Sequence, residues 1–341
     1  MSRNLKAFFS AFIVSASLCI YWLYTDMQAE LNRPMNVDEP VRMTINPGMS
    51  FSSIASMLVQ QGWVNHSYYL TLDARWYKKA RLIKAGEYEI APGTTQLQLL
   101  DQLIAGRVVQ YALTIPEGLT FRDIVGLVMA HSALIHTLEY TDPAVIATQM
   151  DYLKTSPEGQ FYPDTYHFPR GTTDLDFFRR AFDLMQQVLA EEWQQRQTGL
   201  PYTTLYEALI MASIIEKETA DPSERDRIAG VFVRRLQQGM KLQTDPTVIY
   251  AMGSAYNGNI RKQDLYLDSP FNTYVYSGLP PTPIAAPGRD AIRAALQPAA
   301  GEEVYFVARG DGTHQFSATL EEHNRAVRLY QLSRANTQET P

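Results

Sequence analysis

Residues 7–24 form a run without a charged residue, and this feature constrains the fold more than any other. The run reads AFFSAFIVSASLCIYWLY, and its length approaches the roughly 20 apolar residues that an α-helix needs to cross a membrane. Arg3 and Lys6 precede the run, whereas Asp26 and Glu30 follow it. Because positive flanks stay in the cytoplasm, we expect a single-pass helix in the cytoplasmic (inner) membrane with the bulk of the chain in the periplasm.

A cleaved secretory signal peptide is the alternative interpretation of this run. Signal peptides end in small residues at their cleavage site. Here Tyr21, Trp22 and Tyr24 occupy those positions, and such aromatic residues are typical of a membrane–water interface. The pattern therefore favours a retained membrane anchor.

The 341-residue chain is long enough for more than one domain. Hydrophobic residues make up 45% of it, which argues against disorder over most of its length. The net charge of −6 provides no electrostatic footprint for nucleic acid, so no nucleic-acid partner is expected. Cys19 is the only cysteine, and the six histidines lack the spacing of a helical metal pair. We therefore expect neither a metal nor a cofactor.

The chain after the anchor begins with a small module. A polar, proline-interrupted tether leads into an alternating strand from Val41, a turn at Asn46-Pro47-Gly48 and a serine-capped helix. A second helix over residues 66–82, an alternating strand over 85–90 and a helix over 94–104 follow, which predicts a βααβ-like unit.

The segment PGMSFSSIA at residues 47–55 resembles the entry turn of LysM-like modules, which bind glycan in envelope proteins. A generic small α/β module is the alternative, because serine-capped helices after Pro-Gly turns are common. The predicted divisions are a cytoplasmic tail and transmembrane helix, a linker, the LysM-like module, a larger α+β domain and a C-terminal tail, at residues 1–25, 26–40, 41–107, 108–335 and 336–341.

The larger domain mixes helices with short strands, and the predicted fold class is α+β. A strand over residues 304–308, a glycine-containing turn and a strand over 314–317 predict a hairpin. The predicted helices span residues 120–130, 175–195, 206–217, 223–238 and 289–296.

Carboxylates are dense in residues 212–227, ASIIEKETADPSERDR, whereas the common metal, phosphate-loop and serine-hydrolase motifs are absent from the sequence. On one helix, Glu216 and Glu218 differ by about 200° of rotation and cannot face the same groove. Ile214 and Ile215 lie beside Glu218, and loss of hydration there would raise its pKa, as a general acid requires. The alternative is that both glutamates are solvated at a helix end and pair with neighbouring cations, such as Lys217 or Arg225.

Six ordered segments resemble the endolytic murein transglycosylase family, also called YceG-like. They are EGQFYPDTYHF (158–168), ASIIEKET (212–219), ERDRIAGVFVRRL (224–236), LQTDPTVIYAMG (242–253), SPFNTYVYSGLPPTPIAAPG (269–288) and YFVARGDGTHQFSATLEEHN (305–324). With the anchor and the LysM-like module in order, the resemblance spans nearly the whole chain.

The resemblance implies a peptidoglycan lytic transglycosylase, a lyase that cleaves the MurNAc-β-1,4-GlcNAc bond within strands and leaves 1,6-anhydroMurNAc ends. It places the catalytic acid/base at the second glutamate of the EKE block, Glu218, with Glu216 as a lesser candidate. It also implies peptidoglycan synthases (penicillin-binding proteins) as partners, and a role in terminating nascent strands.

Other matching residues suit a sugar cleft, because hydroxyls, amides and aromatic faces bind pyranose rings. For Asp245 the alternative is an Asx turn that caps a helix starting at Pro246. The substrate-binding candidates are Gln243, Thr244, Asp245, Thr247, Tyr250, Asn272, Thr273 and Tyr274, and the lesser candidates are Asp164, His323 and Asn324.

The sequence departs from the family pattern twice. Phe271 stands where tyrosine is usual, and Thr282 stands where glycine is expected. Neither change removes a catalytic group. The rival hypotheses are a hydrolytic muramidase, in which Asp245 activates water or serves as nucleophile, and a non-catalytic glycan-binding scaffold.

Overall fold

The structure is a computed structural model that describes residues 3–139, 143–151, 153 and 156–332. The chain divides into two compact units. Unit 1 comprises Met1–Tyr111 with His167–Gly171, and unit 2 comprises Ala112–Tyr166 with Thr172–Pro341. The predicted tail at 336–341 lies outside the described residues.

Helix α1 spans Arg3–Leu31 and contains the charge-free run. Its segment Phe8–Leu31 is long and apolar enough to cross a membrane, and none of its most apolar stretch is buried within the protein. The predicted helix is thus confirmed. Leu31, at the end of α1, is fully buried in the core of unit 1, so the helix continues directly into the folded module.

Unit 1 is built around one antiparallel strand pair. Strand β1 (Val41–Ile45) pairs with β2 (Gly86–Ile90), and Met43 lies opposite Tyr88. Between them lie helices α2 (Phe51–Gln60) and α3 (Tyr68–Trp76). The predicted strand–helix–helix–strand order is confirmed.

The second predicted helix of this unit is shorter than residues 66–82. Helix α3 ends at Trp76, and a separate 3₁₀ turn, Lys79–Arg81, follows it. Lys78 has a φ of +57°, in the left-handed region, and this conformation interrupts the helix. Helix α4 (Gln96–Ala105) has a Thr95–Gln98 capping box, and strand β3 (Gln110–Thr114) follows it.

Unit 2 contains most of the helices. Its first helices are α5 (Phe121–Ala130) and α6 (Pro143–Gln149). Strand β4 (Thr165–Pro169) pairs with β3, and each of these two strands has residues in both units. The remaining helices are α7 (Asp174–Gln194), α8 (Leu205–Glu218), α9 (Arg225–Gln237), α10 (Asp245–Met252) and α11 (Arg289–Leu296).

Helix α8 is the centre of the unit 2 core. Every residue from Ala208 to Ile215 is buried, so the helix is covered on all sides until its last turn. Helix α11 packs against it, and its small side chains Ala291, Ala294 and Ala295 let the two helices approach closely. This packing holds the C-terminal end of α8 in a defined position.

An antiparallel hairpin and a helix lie near the end of the part of the chain that the structure describes. Strand β5 (Tyr305–Ala308) pairs with β6 (His314–Ser317), which confirms the predicted hairpin. Helix α12 (Leu320–Val327) follows with its own capping box. The architecture is mixed α/β with a long N-terminal apolar helix.

Candidate active site

Glu218 is the last residue of α8, where the chain leaves the buried core. Its side chain is half-buried, whereas Ile214 and Ile215 in the preceding turn are fully buried. The Thr244 hydroxyl donates a hydrogen bond of 2.7 Å to its Oε2. Glu218 is therefore held in one orientation while part of its surface remains open.

Burial raises the pKa of Glu218 to about 7. The Thr244 hydrogen bond and the charge of Arg235 oppose this rise, whereas the nearby carboxylate of Asp245 adds to it. A carboxyl group with this pKa is present in both protonation states near neutral pH, so it can donate a proton and take one back.

Glu216 faces a different environment. Only 6% of its side chain is exposed, its Oε2 accepts the Gly288 N–H at 3.0 Å, and its Oε1 lies 3.5 Å from Arg225. Since Gly288 precedes the first residue of α11, Glu216 fixes the start of that helix. The alternative that both glutamates are solvated is wrong, although its pairing of a glutamate with Arg225 does occur.

Buried threonines hold the segment that carries Thr244. Its backbone N–H donates to the Thr273 hydroxyl at 3.1 Å. The Thr247 hydroxyl donates to the Thr244 carbonyl at 2.7 Å and lies 2.8 Å from the Thr273 hydroxyl. Gln243 is exposed and adopts a left-handed φ of +52°. Thr247 and Thr273 therefore position the Thr244 hydroxyl.

Asn272 is fully buried and holds the loop of residues 265–274 through its side chain. Its amide donates to the carbonyls of Leu265 and Leu267, and its Oδ1 accepts the Tyr274 N–H at 2.9 Å. The Tyr274 hydroxyl in turn donates to Asp245 at 2.7 Å. Asn272 thus positions Tyr274.

Asp245 is exposed beside Glu218 and does not cap a helix that starts at Pro246. Helix α10 begins at Asp245 itself, and its N-cap residue is Thr244. The predicted Asx-turn alternative is wrong, because the Asp245 carboxylate is oriented by the Tyr274 hydroxyl.

Glu158 is a further buried carboxyl group, and the sequence patterns did not single it out. It accepts the Phe121 N–H at 2.8 Å and the Tyr250 hydroxyl at 2.9 Å, and burial raises its pKa to about 7. Its position at the head of the 158–168 segment was the available signal. The Tyr250 ring lies 4.9 Å from the ring of Phe271, one of the two departures from the family pattern.

Glu158 and Tyr250 line a cavity of about 810 Å³. Lys217, next to Glu218, and Pro246, next to Asp245, also line it. The cavity therefore reaches the two elements that carry Glu218 and Thr244. Its wall combines polar groups with the apolar side chains of residues such as Ile249 and Ile284.

Arg235 is another site residue missing from the predicted set. Its guanidinium donates to the carbonyls of Val304, Lys241 and Leu242, and it lies 5.2 Å from the centre of the Tyr305 ring. Its charge lowers the pKa of Glu218. Its place in the 224–236 segment was the only signal for it.

The lesser candidates have surroundings of their own. The exposed Asp164 carboxylate accepts the N–H of its neighbour Thr165 at 2.7 Å. His323 stacks on the Tyr305 ring at 5.2 Å, and burial lowers its pKa. Asn324 is exposed on α12. Among the residues that the structure describes, no group of three or more His, Cys, Asp or Glu residues could hold a metal ion.

The fold and the site together define a class of protein. A mixed α/β unit presents the half-buried carboxylic acid of Glu218 at a helix end, bonded to the Thr244 hydroxyl and one residue from Lys217, which lines a cavity. The YceG-like family model matches residues 43–329, and the chain belongs to this family.

Relatives with known names share most of this chain. The endolytic murein transglycosylase of Bacillus subtilis strain 168 is 30% identical over 323 residues, which is 88% of each chain. A protein of the same name from Streptococcus pneumoniae D39 is 28% identical over 98% of this chain and 67% of its own. A solved YceG-like protein from Listeria monocytogenes is 31% identical, with a TM-score of 0.55 over 85% of this chain and 99% of its own.

Proposed function

We propose that this protein is a membrane-anchored lytic transglycosylase that cleaves peptidoglycan glycan strands internally, with Glu218 as its single acid/base. The observation that carries the proposal is the half-buried Glu218 carboxyl group, whose pKa is about 7 and whose Oε2 is fixed by Thr244. The names of the relatives from B. subtilis and S. pneumoniae support the same reaction and the same polymer.

The first step uses Glu218 as an acid. Its proton moves to the glycosidic oxygen as the bond from that oxygen to C1 of the MurNAc residue breaks. The leaving GlcNAc then carries a free 4-hydroxyl group. Burial keeps a large fraction of Glu218 protonated near neutral pH, which this step requires.

The second step uses the same carboxylate as a base. It removes the proton from the MurNAc 6-hydroxyl, whose oxygen attacks C1 and closes the 1,6-anhydro ring. Glu218 ends in its starting protonation state and no water is consumed. The reaction therefore needs one catalytic carboxyl group, unlike the hydrolytic glycosidases that use two.

The surrounding residues divide into two proposed roles. The exposed or half-buried groups of Gln243, Asp245, Tyr250 and Tyr274 contact the sugar, since their polar and aromatic surfaces are accessible. The buried groups of Thr247, Asn272 and Thr273 hold those residues and Thr244 in place.

Each division of the chain has a proposed role in bringing the enzyme to its glycan substrate. In this proposal, residues 1–25 anchor the protein in the inner membrane with a cytoplasmic N-terminus, and residues 26–40 link this anchor to the folded part. Residues 41–107 form a LysM-like glycan-binding module, and residues 108–335 form the catalytic domain in the periplasm. Peptidoglycan synthases are the proposed partners, and release of nascent strands would limit strand length.

Analysis of the sugar ends tests this proposal against its rivals. Digestion of purified peptidoglycan with the full-length protein, followed by mass spectrometry, should give 1,6-anhydroMurNAc ends. Reducing MurNAc ends without the anhydro form would establish a hydrolytic muramidase instead. Binding without any new ends would establish a glycan-binding scaffold.

A further inference from the structure

Helix α3 and the turn after it expose a set of large apolar side chains that we name the interfacial patch. The residues of this patch have relative exposures between 50% and 77%. Leu70 and Ala74 on the same helix are buried and belong to the core of unit 1. Contiguous apolar surfaces of this kind mark interaction sites. The interfacial patch consists of Tyr68, Leu72, Trp76, Tyr77 and Leu82.

A cluster of positive charge overlaps the patch. Residues 75–84, RWYKKARLIK, contain five basic residues and no acidic one, in a chain whose net charge is −6. Lys79 reaches Asp73 at 2.9 Å. Lys78 and Arg81 are exposed, and neither forms a salt bridge within the part of the chain that the structure describes. We name residues 75–84 the basic run.

Two contacts fix the direction of α3 relative to α1. Just before α3, the His66 Nδ1 lies 3.7 Å from Glu30, and the Tyr69 hydroxyl donates to Asp26 at 2.5 Å. As the chain advances from His66 to Tyr69, its partners on α1 move back from Glu30 to Asp26. It therefore runs opposite to α1, toward the charge-free segment. Trp76 is about 10 Å further along α3 than Tyr69, at 1.5 Å per residue.

The surface of α1 next to Asp26 also exposes large aromatic side chains. Trp22 and Tyr24, just before Asp26, are 62% and 53% exposed. Tryptophan and tyrosine are enriched where a membrane-spanning helix meets water, and lysine and arginine reach from such positions to the headgroups. The interfacial patch thus continues the aromatic end of the proposed membrane span.

We propose that the interfacial patch inserts into the membrane–water interface on the periplasmic side of the inner membrane. The basic run binds anionic phospholipid headgroups at that interface. The inference rests on the proposed anchoring through α1. Docking at this second point fixes the tilt of unit 1 relative to the bilayer. Attachment through the single helix α1 would leave that tilt free to vary. The chemistry matches interfacial amphipathic segments, which combine aromatic insertion with attraction to anionic lipid.

Fluorescent labelling of the full-length protein tests the inference. A Cys19→Ser background allows one introduced cysteine to carry an environment-sensitive probe. The probe is placed by Trp76→Cys in the patch, by Leu18→Cys in α1, or by Asp101→Cys at an exposed position of α4 as the matched control. Each protein is reconstituted in vesicles of equal parts phosphatidylcholine and phosphatidylglycerol that contain a lipid-bound quencher.

We expect quenching at positions 76 and 18 to exceed that at position 101 several-fold. A probe at 76 that behaves like the one at 101, while 18 is quenched, would overturn membrane docking and leave the anchor intact. An unquenched probe at 18 would overturn the anchor and the docking together.

Charge reversal tests the lipid class. Lys78→Glu combined with Arg81→Glu should reduce quenching at position 76 toward the level at 101, and so should vesicles of phosphatidylcholine alone. If neither the double substitution nor the change of lipid alters quenching at position 76, the role of anionic headgroups would be overturned.

Discussion

Replacing Thr244 with valine tests how the protein sets the acidity of its proposed acid/base. Valine keeps the shape of threonine and removes only the hydroxyl that donates to Glu218 at 2.7 Å. That bond stabilises the ionised carboxylate and so lowers the pKa of Glu218. Its loss must raise the pKa above its present value of about 7.

The size of the change follows from the hydrogen bond. A hydrogen bond to a charged group contributes about 1.5–3 kcal/mol, and one pKa unit corresponds to about 1.4 kcal/mol. In Thr244→Val, the alkaline limb of the activity profile, where Glu218 loses the proton that it must donate, should therefore move up by about 1–2 pH units.

The assay is the pH dependence of kcat/KM for release of anhydro ends, because this ratio reports the free enzyme. Thr247→Val is the matched control, since the Thr247 hydroxyl bonds to the Thr244 carbonyl and to Thr273 and does not contact Glu218. It should lower stability and move the limb by less than Thr244→Val does, because Thr244 keeps the hydroxyl that donates to Glu218. An unchanged or acid-shifted limb in Thr244→Val would refute the reasoning.

Three further predictions concern stability, each measured by denaturant unfolding. Asn272→Ala should cost about 2–4 kcal/mol, because it empties a fully buried position and leaves partly buried backbone groups without partners; a loss below measurement error would contradict its positioning role. Gly159→Ala should cost about 1–3 kcal/mol, since φ is +73° and the added Cβ would lie 2.4 Å from Pro283; wild-type stability would show that the site relaxes freely. Glu158 has a folded-state pKa of about 7, raised from 4.5, so its ionisation destabilises the fold as the pH rises between these values. Glu158→Gln should therefore gain stability relative to wild type over that interval, and a constant difference across it would refute the buried, protonated state.

Local patterns predicted much of the architecture. The apolar run, the capped helices and the alternating strands indicated α1, the βααβ unit and the late hairpin, because these features depend on residues close in sequence. The break at Lys78 was not predictable, since a left-handed lysine has no compositional signal.

The site was predictable only in part. The apolar neighbours of Glu218 indicated its raised pKa, because desolvation arises within the same helix turn. The contributions of Glu158 and Arg235 depend on partners more than sixty residues away, such as Tyr250 and Val304. The burial of Asn272 likewise follows from tertiary packing and carries no local signature.

A matched pair of substitutions tests the central assignment most directly. Glu218→Gln and Glu216→Gln each replace one carboxyl group with an amide of nearly the same shape, two residues apart on α8. Release of anhydroMurNAc ends from purified peptidoglycan should vanish in Glu218→Gln and persist in Glu216→Gln, whose amide oxygen can still accept the Gly288 N–H. Persistent cleavage by a folded Glu218→Gln protein would contradict the account.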